Sequence, residues 1–295
     1  MAQYQAPSVE LRARVALEKH GFRHSHSLGQ TFILDEALLG RLLDATKLAQ
    51  EDNVLEIGPG AGVMTALMCS RARRVLAYEL DGKLIPVLEE VLEGCDNFSL
   101  IHGDFLKTRD VGAQLSRCFG EAPYRVVANL PYYITADILL KLTALERKPR
   151  SIAVMVQREA AERITSEPGS KRWCALAATL RYYGRAQVLG EVPPEVFDPP
   201  PHVTSCFMRL DRWEDPPVRP RDEALFLRLV NVAFAMRRKT LANNLKASFG
   251  LDQQQARALL DAAGIDERAR GESLELEELC RVADGLKALQ AASQD

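Results

Sequence analysis

No stretch of this chain runs for the roughly 18 apolar residues that a membrane-crossing helix needs, so no membrane span is expected. The six cysteines, at 69, 95, 118, 174, 206 and 280, form no CxxC pair and no dense framework. They read as free thiols in a reducing cytoplasm. Nor is there an excess of either charge, since 38 Lys and Arg stand against 40 Asp and Glu for a formal net charge of −2. That balance excludes a uniformly basic nucleic-acid binder but leaves local patches open. The N-terminus carries Glu10 and Glu18 among its basic residues and has no apolar segment, so it does not read as a targeting peptide. What is there is 295 residues, 47% hydrophobic and 26% charged, enough for one large domain plus a smaller one.

The chain is organised around Val126 to Tyr133, VVANLPYY. A β-branched, apolar run of this kind is a buried strand, and Asn-Leu-Pro-Tyr stops it in a loop. Asn129 offers a side-chain carbonyl, Leu130 a main-chain carbonyl and Tyr132 a flat ring, a set suited to gripping a planar base with an amino group. An ordinary strand-to-helix turn has the same residue types, so the tetrapeptide alone does not decide.

The decision comes from upstream. Val54 to Ile57 runs into Gly58-Pro59-Gly60-Ala61-Gly62, and Val63, Ala66 and Leu67 follow with helical spacing: strand, glycine turn, helix. The next strand, Arg74 to Tyr78, ends at Glu79, where a ribose diol is gripped in such sheets. A third strand, Ser99 to Phe105, carries Asp104, placed to accept from an adenine amino group. Generic loop acids are the alternative, but glycine loop, ribose acid and base acid occur in the order one wound sheet requires. A nucleoside held by two carboxylates and without phosphates implies S-adenosylmethionine, whose charged methionine end can meet the Gly58 and Gly60 backbone and the helix N-terminus.

Around this core, Ser8 caps a helix running to about His20. His20, Arg23, His24 and His26 read as a solvated, weakly basic arm and not a metal site, because Gly21 breaks the helix and no Cys or carboxylate lies close by. Phe197 opens FDPPPHV, a stiff connection between strands Ala186 to Val192 and Ser205 to Leu210; it is either core filler or a face opposite Tyr132 across a base. After Asp215-Pro216-Pro217 the pattern is wholly helical. Arg237, Arg238, Lys239 and Lys246 cluster there beside Asn243 and Asn244, favouring a phosphate-binding surface over a solvated helix face.

EIGPGAG, AYELD, HGDF, NLPYY and FDPPPHV, with GQTF before and FAMRRKTLANN and GIDERARGESL around them, resemble the small-subunit ribosomal RNA adenine dimethyltransferase family. NLPY and the glycine motif are shared with the large-subunit, antibiotic-resistance adenine methyltransferases; the last two tracts look like the small-subunit branch. The resemblance places cofactor contacts on Thr31, Ile33, Gly58, Glu79, Asp104 and Asn129, where the family usually has Asn and Leu at the first two. Trp173 and Cys174 stand where a Tyr-Gly pair is usual. The implied reaction is methyl transfer to adenine N6, with Asn129 and Leu130 accepting the amine hydrogens and Tyr132 and Phe197 enclosing the base. The expected fold is α/β, a doubly wound, mostly parallel Rossmann-like sheet followed by a small all-helical domain. Residues 1–52 form an arm and cofactor-access loop, 53–214 the methyltransferase domain and 219–295 an RNA-binding domain. The expected partner is small-subunit ribosomal RNA or a pre-subunit particle, met by a monomer with no metal. Two rivals are a large-subunit adenine methyltransferase and an assembly factor acting mainly by binding.

Overall fold

A computed structural model describes residues 7–292, apart from the side chain of His26. In chain order the elements are α1 (Val9–Lys19), β1 (Phe32–Ile33), α2 (Glu36–Thr46), β2 (Asn53–Ile57), α3 (Val63–Cys69), β3 (Arg74–Glu79), α4 (Ile85–Val91), β4 (Phe98–His102) and α5 (Val111–Phe119). They continue as β5 (Tyr124–Asn129), α6 (Thr135–Ala144), β6 (Ser151–Gln157), α7 (Arg158–Ile164), α8 (Ala175–Tyr183), β7 (Gly184–Val192), β8 (Phe197–Asp198) and β9 (Ser205–Arg212). Four helices complete the chain: α9 (Glu223–Ala235), α10 (Leu241–Phe249), α11 (Gln253–Ala263) and α12 (Leu276–Ala292).

Seven strands form one sheet in the order β4-β3-β2-β5-β6-β9-β7. Strands β2 to β6 pair in parallel, and β9 runs antiparallel to β6. The central strands are buried on both faces, which is why β2, Asn-Val-Leu-Glu-Ile, carries no polar alternation. From β2 the chain winds outward through β3 and β4, then returns to lay β5 on the other side of β2. The strand order therefore reverses between β2 and β5, and a crevice opens outside the carboxyl ends of strands at such a switch point. Gly58 follows β2, and Asn129 ends β5, so both stand at this crevice.

The chain forms two compact units, residues 7–161 with 187–211 and residues 162–186 with 212–292. This corrects the expected division at 214. The segment 162–186 goes with the C-terminal helices because Trp173, Ala177 and Ala178, all 0% exposed, share a core with Phe226, Leu229 and Leu245. Trp173 is thus a packing residue. The N-terminal residues do not form a separate arm either. Ser8 caps α1 by accepting from Leu11 N, as expected, but Ala13 and Ala16 are 0% exposed in the core of the first unit. Lys19 and His20 both reach the Glu90 carboxylate at the end of α4, at 2.9 and 3.0 Å, and hold its pKa down. Strand β4 also stops earlier than the sequence suggests: Gly103 N donates to Glu79 O, and Asp104 lies in the turn beyond it.

Candidate active site

At the carboxyl ends of β2, β3 and β5 lies one cavity, within the first unit. Its wall brings together Thr31, Ile33, Gly58, Gly60, Glu79, Asp104, Asn129 and Leu130, residues drawn from five separate stretches of sequence. The floor is the glycine turn. Gly60 has φ +57°, and a Cβ there would stand 3.0 Å from the ring of Phe32, so both backbone conformation and the packed ring require glycine. Phe32 is itself held by Phe22 and His24, with ring centroids 5.6 and 4.8 Å away.

Glu79 is 5% exposed. Burial pushes its pKa up to about 7, against the opposing pull of hydrogen bonds from the backbone N–H groups of Asp81, Gly60 and Leu80. Asp81, next in the wall's scaffold, accepts from Gln30 Nε2 at 2.8 Å, which ties the loop before β1 to the end of β3. Beneath Glu79 stands Glu56, 0% exposed in the middle of a buried strand. Its Oε2 accepts from Thr65 Oγ1 at 2.7 Å, while Oε1 has no hydrogen-bond partner among the described residues. Desolvation, with a smaller contribution from the neighbouring Glu79, raises its pKa to about 8. A charge inside a five-residue buried strand is the signal by which the sequence marks Glu56, and the sequence reasoning missed it.

The acceptor loop is fixed as firmly. Asn129 Nδ2 donates to Thr31 O at 3.1 Å, which uses the amide nitrogen and leaves Oδ1 as the acceptor. Leu130 is 2% exposed, and Thr135 Oγ1 donates to Pro131 O at 3.2 Å, closing the turn into α6. Tyr132 and Phe197 stand outside this wall. The Tyr132 hydroxyl meets Ser205 Oγ at 2.5 Å, and burial raises its pKa despite that bond. Phe197, 4% exposed, packs in the core with its backbone paired to Ile33, so the structure brings it forward as filler and not as an open face for a base. Phe32, Tyr78 and Phe105 line the cavity as buried rings, and Tyr133, 60% exposed and in reach of Gly29, lines it as an exposed one.

In the second unit, Arg237, Arg238 and Lys239 occupy an exposed turn between α9 and α10. Arg237 is engaged: it pairs with Glu272 at 3.1 Å and donates to Lys171 O at 3.0 Å. Lys246 Nζ donates to Gln253 Oε1 at 2.5 Å. Asn244 does not share their surface. It is 0% exposed and donates to Ala233 O at 3.1 Å, joining α10 to α9.

The sequence pattern of the ribosomal RNA adenine dimethylase family matches residues 21–287. A small-subunit ribosomal RNA methyltransferase A from Geobacillus thermodenitrificans is 41% identical over 283 residues, covering 94% of this chain and 96% of that protein. Its counterpart from Shouchella clausii is 42% identical, covering 93% and 94%. Among solved structures, the 23S rRNA methyltransferase ErmE superposes with a TM-score of 0.64 at 25% identity, covering 87% of this chain and 99% of that one. A dimethyladenosine transferase from Plasmodium falciparum, at 21% identity and TM-score 0.67 over 83% and 94%, shares the fold. With the sheet order, the acid-lined cavity and near-complete coverage in agreement, this chain belongs to the ribosomal RNA adenine dimethylase family.

Proposed function

We propose that this protein is an S-adenosylmethionine-dependent methyltransferase that dimethylates the exocyclic N6 of adenines in small-subunit ribosomal RNA, in the course of subunit biogenesis. The observation that carries the reading is the joining, in one cavity, of the acceptor pair Asn129 and Leu130 with the acids Glu79 and Asp104. The residues fit the cofactor. A buried acid with an unpartnered oxygen, Glu56, beside a second raised acid, Glu79, makes a pocket that favours hydroxyl donors and positive charge, and the cofactor carries a ribose diol, an ammonium and a sulfonium. When bound, it supplies an electrophilic methyl group.

The chain's own work is orientation. The adenine amine is a poor nucleophile because its lone pair is delocalised into the ring. Asn129 Oδ1 and Leu130 O accept its two hydrogens and turn the lone pair out of the ring plane. No general base is required in the transition state, since alignment of well-placed groups is worth effective molarities of about 10⁵ to 10⁸ M. The target base must leave its stack at a cost of a few kcal/mol, and stacking on an aromatic ring returns roughly 1–3 kcal/mol. Tyr132, outside the cofactor cavity's wall but between its lining residues Pro131 and Tyr133, offers that ring. Phe197 joins it only if the core around it opens. Glu79 accepts from the ribose hydroxyls, Asp104 from the adenine amine of the cofactor, and Thr31, Ile33, Gly58 and Gly60 line its path. The exposed turn at Arg237, Arg238 and Lys239, with Lys246, serves the phosphate backbone.

The higher identity to small-subunit enzymes than to the 23S enzyme supports the small-subunit substrate over the large-subunit one. Mass spectrometry of small- and large-subunit RNA, from cells with and without this protein, tests it. Loss of N6,N6-dimethyladenosine from the small-subunit RNA alone is the expected result. Loss from the large-subunit RNA alone, or from neither, overturns it.

A further inference from the structure

Lys141 lies on α6, six residues after the helix begins, and is half-buried against the turn that follows Asp104. Its ammonium donates to three main-chain carbonyls of that turn: Phe105 O at 2.6 Å, Leu106 O at 2.8 Å and Thr108 O at 2.7 Å. An ammonium has three protons, so every one is spent on a single four-residue segment. The charge also sits 5.0 Å from the centroid of the Phe105 ring, whose own neighbour is Tyr78 in the cavity wall at 5.3 Å. Burial pulls the Lys141 pKa down, and the Asp104 carboxylate offsets part of that. A lysine held this way is not a solvated surface charge.

The same turn is pinned from its other side. Asp104 Oδ1 accepts from Leu106 N at 2.9 Å and Lys107 N at 3.3 Å, and Thr108 Oγ1 donates to Asp104 O at 2.8 Å. The carbonyls of the turn therefore point to Lys141 while its first amides point to the Asp104 carboxylate. Rotating either set would disturb the other. Asp104 Oδ2 pairs with Lys107 Nζ at 3.3 Å, and that lysine side chain is 87% exposed. An exposed pair of this kind holds weakly, so a ligand can take its place.

We propose that Lys141 is a positioning residue for the adenine end of the cofactor. By fixing the carbonyls of residues 105, 106 and 108, it sets the turn that presents Asp104 Oδ2 to the adenine amino group. It also links that presentation to α6, the helix into which the Asn129–Tyr133 loop runs, so the base acid and the acceptor loop share one support. The proposal rests on the reading of Asp104 as the acid that accepts from adenine.

The test is a discrimination ratio, measured by calorimetry on the full chain with S-adenosylhomocysteine and S-inosylhomocysteine. Inosine carries a ring carbonyl where adenine has the amino group. The wild-type protein should prefer the adenosyl ligand. Lys141→Met should weaken the adenosyl ligand about tenfold, leave the inosyl ligand nearly unchanged and so erase the preference, as expected for misaligning one hydrogen bond to a charged group. If Lys141→Met does not fold, Lys141→Gln, which keeps two protons, gives the same reading with a smaller loss. Equal weakening of both ligands, or of neither, overturns the proposal, because a merely structural role moves both together. Asp104→Ala separates the two ideas. If it abolishes the preference while Lys141→Met retains it, Lys141 has no positioning role; if Asp104→Ala binds both ligands as the wild type does, the reading of Asp104 fails and the proposal falls with it.

Discussion

The acid-lined cavity and the basic turn between α9 and α10 handle charge in opposite ways. In the cavity, Glu56 and Glu79 are buried, and desolvation raises both pKa values, to about 8 and about 7. At the turn, Arg237, Arg238 and Lys239 are exposed, and Arg237 is paired to Glu272 at the surface. Buried groups have a fixed geometry and a low local dielectric, so each can select a ligand atom. Exposed cations are screened within about 8–10 Å at ordinary salt, so they hold a polyanion without reading it. Under the proposed function, the first region would serve the chemistry and the second the grip on RNA.

That contrast can be broken by variants that separate rate from affinity. The largest effect is expected at Asn129. Asn129→Ala removes the preorganised acceptor, and transfer in single turnover with saturating cofactor should fall by about 10² to 10³, the usual cost of losing one such group. RNA affinity should stay nearly intact, because phosphate contacts elsewhere dominate it. A near-normal rate would end the orientation mechanism.

Glu79→Ala comes next. Cofactor affinity should drop tenfold or more by calorimetry, from a charged hydrogen bond worth roughly 1.5–3 kcal/mol. If a folded variant binds as tightly as the wild type, Glu79 does not touch the ribose.

Neutralising Arg237, Arg238 and Lys239 together should instead leave cofactor binding alone and flatten the salt dependence of RNA binding by up to about two log units per log unit of salt. Because Arg237 already has Glu272 and Lys171 O as partners, most of the change should come from Arg238 and Lys239. An unaltered slope would make the turn an ordinary solvated surface.

A further effect falls on stability, and its sign follows from proton counts. Glu56 keeps its proton up to about pH 8 in the folded chain but loses it near its ordinary value of 4.5 when unfolded. Between those limits the folded state binds more protons, so this group makes folding stability decline as pH rises. Glu56→Gln carries no such proton, and its denaturation midpoint should fall less than that of the wild type from pH 5 to pH 8. Parallel pH profiles for the two proteins would mean that Glu56 is already ionised when folded.

Much of the cavity was legible because its residues sit at strand ends, and strand ends are marked by local chemistry: Gly58 to Gly62 after β2, Glu79 after β3, Asn129 to Pro131 after β5. The Phe197 reading, the placement of Trp173 and the separateness of the N-terminal residues were not legible. Each depends on which distant side chain covers which, and neither propensity nor spacing carries that. The His20 tract reads as solvated in sequence, and His20 is exposed, but its partner Glu90, 70 residues away, is set by the fold.

The amino-acid sequence by itself determined the strand-turn-helix units, the order of the glycine loop, Glu79 and Asp104 after successive strands, and the change to a helical pattern after Pro217, because those follow from hydrophobic period and from the backbone limits of Gly and Pro. Only the tertiary structure decided that Glu56 is buried near Glu79 with its pKa pushed up, that Phe197 packs inward, that residues 162–186 join the C-terminal helices, and that Lys141 clamps the Asp104 turn. Burial and desolvation are properties of the assembled sheet and helices, and no window of the sequence contains the partners that create them.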